Sequence, residues 1–163
     1  MGNNHRFLDL LVKLIDKNDP YKSGHSERVS KISELIGRNH DLNPEKLEVL
    51  IQGARLHDIG KVMLPGDLWC IPGKIENEDE WELIKKHPGL GADLLEECEF
   101  DQGLIDIVRY HHERWDGKGY PENLAGDDIP VLARIVGLAE AYVSMISYDI
   151  YSENIEKEEA ISR

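Results

Sequence analysis

The chain has 163 residues, 40% hydrophobic and 31% charged, which is typical of a single globular domain. No apolar run approaches the roughly 20 residues that a membrane-spanning helix needs, and the start, MGNNHRFLDLL, lacks the features of a signal peptide. The net charge of −13 argues against binding to DNA, RNA or an anionic membrane, although bound cations could still attract a small phosphate ligand.

Helical spacing of apolar residues dominates the first half of the chain. A first helix within RFLDLLVKLID is predicted to bury Phe7, Leu8, Leu11, Leu14 and Ile15. A second, from about Ser26 to His40, is predicted to bury Val29, Ile32, Leu35 and Ile36. A third has Asn43 as its N-cap and Pro44 at its first position, and it ends or bends at Gly60. Its predicted buried residues are Leu47, Leu50, Ile51, Ala54 and Leu56.

The second half also predicts helices, separated by two irregular segments. Residues 62–74 hold two prolines and two glycines and predict an ordered loop, and glycines and prolines from Gly117 to Pro130 predict another. Helices are expected within NEDEWELIKKH, from Pro88 and within DQGLIDIVRYHH. PVLARIVGLAEAYVSMIS predicts a buried central helix, and NIEKEEAISR begins one more. We therefore expect an all-α fold in one domain over residues 1–163.

Five of the seven histidines lie next to predicted helix ends, beside Gly, Pro or Asp. They are His25, His57, His87, His111 and His112. His57 and Asp58, in RLHDIGK, could simply cap a helix and face solvent, and Lys61 could be a surface lysine. Imidazole and carboxylate ligands together suit Fe, Mn, Zn or Ni, and six such residues exceed the four ligands of one tetrahedral ion. The pattern therefore favours two ions, bridged by a carboxylate.

A two-ion centre is suited to phosphoester hydrolysis, because the ions hold phosphoryl oxygens and activate a water molecule. Lys61 could then neutralise charge on the phosphate or on the leaving oxygen. The two cysteines, Cys70 and Cys98, are far apart and predict free thiols in a reducing cytoplasm.

These motifs resemble those of the HD-GYP domain, a branch of the HD superfamily of metal-dependent phosphohydrolases. The similar segments include SGHSERV, ARLHDIGKVMLP, KKHPGLGADLL and YHHERWDGKGYPENLAGDDIP, and they follow the family order over nearly the whole chain. The resemblance implies hydrolysis of the bacterial messenger cyclic di-GMP at a pair of divalent ions, of which iron and manganese are usual and zinc or nickel is conceivable.

The resemblance also assigns ligands. One metal is expected on His25, His57, Asp58 and Glu140, and the other on Asp58, His87, His111 and His112, with Asp58 bridging. Lys61 is expected to meet the phosphate, and Gly119, Tyr120 and Pro121 to shape the substrate loop. Trp115 is expected to be buried and, with Asp116, to hold that loop. Arg28 is expected to pair with acids near the site.

The sequence departs from the family at several positions. Glu140 replaces the usual Asp, so we expect it to bind metal less tightly, and Val143 stands where the family often repeats an Asp. In the family, an Arg-Pro pair and a nearby Lys belong to a segment that binds the dinucleotide. Here Asp149, Ile150 and Ser152 stand at the Arg, Pro and Lys positions. Tyr21 replaces the Glu of members with a third ion, so two ions are expected. The family domain also continues further, so apolar surface near Ile155 and Ile161 could be exposed.

Three functions remain open. The first is a phosphodiesterase acting on a cyclic dinucleotide, with Asp58 and Lys61 as catalytic residues. The second is a degenerate HD-GYP signalling or binding module with little turnover. The third is a hydrolase of another phosphorylated nucleotide. A homodimer or a signalling-protein partner is also conceivable.

Overall fold

The computed structural model describes residues 8–15, 24–65 and 77–147. Within these ranges the chain forms helices and no strand, which confirms the predicted all-α fold. The α-helices are α1 (residues 8–15), α2 (His25–Asn39), α3 (Pro44–Leu56), α4 (Glu78–Ile84), α5 (His87–Glu97), α6 (Gln102–Tyr110) and α7 (Val131–Ser147). Two short 3-10 helices are Ile59–Met63 and Gly126–Asp128. No helix in the described ranges has the length and apolar character needed to cross a membrane.

Helices α3 and α6 lie at the centre, because each contributes to both hydrophobic clusters. One cluster joins α1, the end of α3, α5 and α6. The other joins α2, α3, α6 and α7, and Val143 is fully buried within it. The predicted N-cap of α3 is confirmed: the Asn43 side chain accepts the backbone N–H of Lys46, and Pro44 opens the helix. The rigid ends of these helices therefore have fixed positions relative to one another.

Two predicted core positions are wrong. Leu14 in α1 is 49% exposed, and Val12 is buried in its place, because the inward stripe of α1 follows positions 8, 12 and 15. Leu35 in α2 is 58% exposed. The buried stripe of α2 carries Ser30, Ser33 and Gly37 instead, and these small residues let α2 approach α3 closely. The hydroxyl of Ser30 donates a hydrogen bond to the carbonyl oxygen of Ile51.

The segment after His57 and Asp58 is packed directly against the start of α5. A Cβ at Gly60 would overlap the backbone carbonyl of His87, so only glycine fits this approach. The predicted loop over residues 62–74 begins later than expected, because Val62 and Met63 belong to the 3-10 helix. Residues 66–74 of that loop lie outside the described residues, as do Phe7, Tyr21, Cys70, Asp149, Ile150, Ser152 and the predicted helix in NIEKEEAISR.

Candidate metal centre

The five histidines converge in the interior because each lies at or next to a helix end. His25 is the first residue of α2 and His87 the first of α5. His57 and Asp58 follow the last residue of α3. His111 and His112 follow the last residue of α6. Four of the imidazoles are almost completely buried, as is Asp58, so these helix ends build a buried polar cluster inside an apolar fold.

The cluster divides into two groups that share one carboxylate. Asp58 with His87, His111 and His112 forms one group, and Asp58 with His25 and His57 forms the other. Within each group the ligand-type atoms lie within 4.8 Å of one another. The two groups contain the residues that the family resemblance implies as ligands, except Glu140, and Asp58 is at the shared position.

The backbone fixes the tautomers of three of these histidines. The Nδ1 atoms of His57, His87 and His111 lie 2.8, 2.7 and 2.8 Å from the carbonyl oxygens of Ala54, Ile84 and Val108. A carbonyl oxygen can only accept a hydrogen bond, so each Nδ1 carries the proton. Each ring therefore turns its Nε2 atom towards the cluster, as metal-binding imidazoles do.

The inward-facing nitrogen and carboxylate oxygen atoms lie close to one another. His87 Nε2 lies 3.3 Å from His111 Nε2 and 3.3 Å from Asp58 Oδ1, and His57 Nε2 lies 3.4 Å from Asp58 Oδ2. Among the described residues, His57 Nε2 and Asp58 Oδ1 are buried without a hydrogen-bond partner. Buried acceptors facing one another are costly unless a cation lies among them. The donor set and its geometry therefore fit bound metal.

Asp58 stays ionised despite its burial. Burial by itself would raise the pKa of its carboxyl group, but the charges of Lys61 and His57 lower that pKa well below its usual value. The Lys61 ammonium donates a hydrogen bond to Asp58 Oδ2 at 2.6 Å. Burial also lowers the pKa of His111 well below its usual value and that of His112 to about 4. The cluster thus keeps the protonation states that metal ligands require.

Glu140, on α7, lies beside both groups rather than inside either. Its Oε1 is 4.0 Å from His57 Nε2, and its Oε2 is 3.8 Å from His112 Nδ1. Neither compact group includes it. Burial would raise the pKa of Glu140, but the neighbouring His112 and His57 lower it, so the carboxylate is ionised. It is available as a ligand at the periphery of the cluster.

Among the described residues, the open side of the cluster is where His112 and Lys61 lie. The His112 side chain is 24% exposed and that of Lys61 17%, whereas those of His57 and His87 are 0% and 1% exposed. The ring of Tyr120 stacks on His112 with centroids 4.7 Å apart. Burial and the nearby charges of Glu140 and Asp58 raise the pKa of Tyr120, so its hydroxyl keeps its proton. A ligand reaching the cluster must pass His112, Lys61 and Tyr120.

The loop that carries Tyr120 is fixed by backbone contacts. The Tyr120 N–H donates to the carbonyl oxygen of His112 at 3.2 Å. A Cβ at Gly119 would come within 2.6 Å of that same oxygen, so glycine is needed for the close approach. Pro121 follows with an exposed ring. These contacts place all three predicted loop residues at the open side of the cluster.

The sequence analysis missed one residue here and misjudged another. Glu113 is buried, and its Oε1 accepts the N–H of Glu122 at 2.6 Å, which ties the Tyr120 loop to the helix end that carries His112. Its position next to two histidines was the available signal. Trp115 was expected to be buried, but it is 64% exposed and lies over the guanidinium of Arg134. Asp116 does support the loop, since it accepts the N–H of Lys118.

Comparisons with known proteins place this fold and cluster in a family. The sequence pattern of the HD domain family matches residues 9–163. A solved structure of an HDG"Y"P protein, Bd1817 from Bdellovibrio bacteriovorus, superposes on 85% of the chain and 44% of its own length, with 34% identity and a TM-score of 0.67. The chain therefore belongs to the HD domain family, in its HD-GYP branch, as the sequence motifs predicted.

Curated relatives carry related names. The cyclic di-GMP phosphodiesterase response regulator RpfG of Xanthomonas campestris is 36% identical over 90% of this chain and 39% of its own length. The 3'3'-cGAMP-specific phosphodiesterase 3 of Vibrio cholerae is 34% identical over 80% of this chain and 28% of its own length. The chain thus spans less than half of each of these relatives.

Proposed function

We propose that this domain is a metal-dependent phosphodiesterase that hydrolyses a cyclic dinucleotide, with cyclic di-GMP as the first candidate substrate. The observation that carries the proposal is Asp58 at the junction of two groups of metal-ligand atoms. When bound, a pair of divalent ions supplies an activated water molecule and stabilises the charge that develops on phosphoryl oxygens. Iron or manganese is our first expectation for both ions, and zinc or nickel also suits these ligands.

The proposed ligands are those implied by the family resemblance. Asp58, His87, His111 and His112 would hold one ion. Asp58, His25, His57 and Glu140 would hold the other, with Asp58 shared. Support comes from the inward lone pairs of three imidazoles and from the ionised carboxylates. We expect Glu140 to be the weakest ligand, because its oxygens lie outside both compact groups.

Lys61 is the proposed phosphate contact. Its ammonium is held against Asp58 yet remains partly exposed at the open side of the cluster. A cation there can attract the anionic substrate and stabilise charge on a phosphoryl oxygen. Tyr120, with Gly119 and Pro121, would form the adjacent wall of the substrate site.

The relatives support this substrate class but leave two candidates. The name of RpfG states cyclic di-GMP and that of the Vibrio cholerae relative states 3'3'-cGAMP, at nearly equal identity to this chain. Both are cyclic dinucleotides with two phosphodiester bonds. A 3'3'-cGAMP phosphodiesterase is therefore our second candidate.

The test is to purify the protein without chelators, measure metal per chain, and incubate it with manganese and each dinucleotide. We expect linear dinucleotide or mononucleotide, and we expect Asp58→Asn to abolish turnover and reduce metal content. The matched control is Asp127→Asn, the same change at a carboxylate whose side chain is 89% exposed. Bound metal with no turnover of any phosphodiester would instead identify a binding module.

We further propose that residues 1–163 form one HD-GYP domain acting in the cytoplasm. The family match over residues 9–163 and the free thiol of Cys98 support these two statements. A second copy of the chain or a signalling protein as partner stays a prediction.

A further inference from the structure

Helix α4 contributes no buried residue, yet it holds an indole beside the candidate metal centre. Trp81 is 40% exposed, and its ring meets that of Tyr120 edge to face, with centroids 6.2 Å apart. Tyr120 stacks in turn on His112. A continuous line of three aromatic rings therefore leads from the metal-ligand cluster towards solvent.

This line lies on the side where a substrate must enter. His112, its first ring, lies at the open side of the cluster, next to the partly exposed Lys61. A phosphate bound at the cluster therefore leaves the rest of its nucleotide pointing outward. The ring centroids of His112 and Tyr120 are 4.7 Å apart and those of Tyr120 and Trp81 are 6.2 Å apart, so aromatic surface extends from the cluster to α4.

The exposure of Trp81 suits a base-bearing ligand better than core packing does. The ammonium of Lys85 lies 5.7 Å from the centroid of the indole ring and is neutralised by Glu82, and the first turn of α4 is acidic. Recognition would therefore come from the indole itself, which stacks on any nucleobase through its π face. A tryptophan with only a packing role is normally more buried than this one.

We propose that Trp81 is a further substrate-contacting residue, whose indole stacks on a nucleobase while the attached phosphate lies at the metal centre. This inference rests on the proposed phosphodiesterase function and names a residue that recognises the substrate. Stacking on one aromatic residue typically contributes about 1–3 kcal/mol per base, which corresponds to roughly 5- to 150-fold in affinity.

The experiment compares Trp81→Leu, which removes the aromatic ring, with Trp81→Phe, which keeps one. Leu83→Ala is the matched control, because Leu83 is on the same helix and is 36% exposed. For each variant, the KM for cyclic di-GMP or 3'3'-cGAMP and the inhibition constant of inorganic phosphate are measured with the manganese-loaded protein. Inorganic phosphate probes the metal centre without a base.

We expect Trp81→Leu to raise KM about tenfold with little change in kcat, and Trp81→Phe to recover most of the loss. Leu83→Ala should leave KM unchanged, and the inhibition constant of phosphate should be the same in every variant. An unchanged KM in Trp81→Leu, or an equal rise in the phosphate constant, would overturn the stacking role while leaving the hydrolase intact. A wild-type protein that neither binds nor cleaves a dinucleotide would overturn both proposals.

Discussion

The Nε2 atoms of His87 and His111 lie 3.3 Å apart, and both side chains are buried. Both rings donate their Nδ1 protons to backbone carbonyl oxygens three residues earlier in the chain. Two Nε2 atoms therefore face each other in a buried site. A cation bound between them would satisfy both, so we expect the metal centre and the stability of the domain to be coupled.

This coupling predicts that metal stabilises the protein strongly. Adding Mn²⁺ at about one hundred times its dissociation constant to chelator-treated protein should contribute about 3 kcal/mol to the free energy of unfolding for each bound ion. For a domain of this size, the melting temperature should rise by roughly 6–10 °C per bound ion. Differential scanning calorimetry with and without Mn²⁺ checks this result.

His111→Asn should remove most of the metal-dependent rise in melting temperature. His40→Asn is the control, since His40 is exposed at the end of α2, and it should leave the rise unchanged. An equal response of both variants to Mn²⁺ would contradict a role for His111 in binding.

Gly60→Ala should destabilise the fold, because the new methyl group would overlap the backbone carbonyl of His87. We expect a loss of about 2–4 kcal/mol in the free energy of unfolding, since backbone rather than a flexible side chain must move. Gly89→Ala is a matched control in helix α5, where a Cβ meets open space. It should stabilise the protein by about 0.5–1 kcal/mol.

Urea denaturation of the two glycine variants measures both effects. Metal content should fall in Gly60→Ala as well, because Gly60 sets the distance between Asp58 and His87. Equal stabilities of the two variants would show that the contact with His87 is not needed.

The sequence predicted the helices well, for a physical reason. Helix periodicity and capping are local, so Asn43 and Pro44 located the start of α3 correctly. Histidines next to Gly, Pro or Asp indicated helix ends, and the ends of several helices can converge on one site. The HD-GYP motif then related residues that are distant in sequence, and the structure places them together.

What could not be predicted depends on packing between helices. Leu35 has the character of a core residue, but the contact between α2 and α3 requires small side chains, so Ser33 and Gly37 are buried instead. Trp115 is exposed because its loop directs it towards Arg134. The contacts of Trp81 with Tyr120 are likewise tertiary, since the 38 intervening positions carry no signal for them.

Glu113→Ala should loosen the loop that carries Tyr120. The substitution removes the carboxylate oxygen that accepts the N–H of Glu122 at 2.6 Å and leaves that donor without this partner. The expected loss in the free energy of unfolding is about 1–3 kcal/mol. Hydrogen exchange at the Glu122 amide should accelerate, and the stacking of Tyr120 on His112 should weaken.

Glu113→Gln is the conservative comparison, because its amide oxygen can still accept the same hydrogen bond. It should retain most of the protection of the Glu122 amide. If Glu113→Ala kept full protection, the loop would depend on its other backbone contacts alone.

The stability of the metal-free protein should fall as pH decreases from 7 to 5. Burial lowers the pKa of His112 from 6.5 to about 4, and it also lowers the pKa of His111 well below its usual value. Between pH 6.5 and 4 the unfolded chain therefore binds more protons than the folded one, so acid favours unfolding. His112 alone should lower the free energy of unfolding by on the order of 2 kcal/mol at pH 5. Urea midpoints across this range measure the slope of stability against pH. His112→Asn should reduce this slope. An identical slope in that variant would show that His112 is protonated equally in the folded and unfolded states.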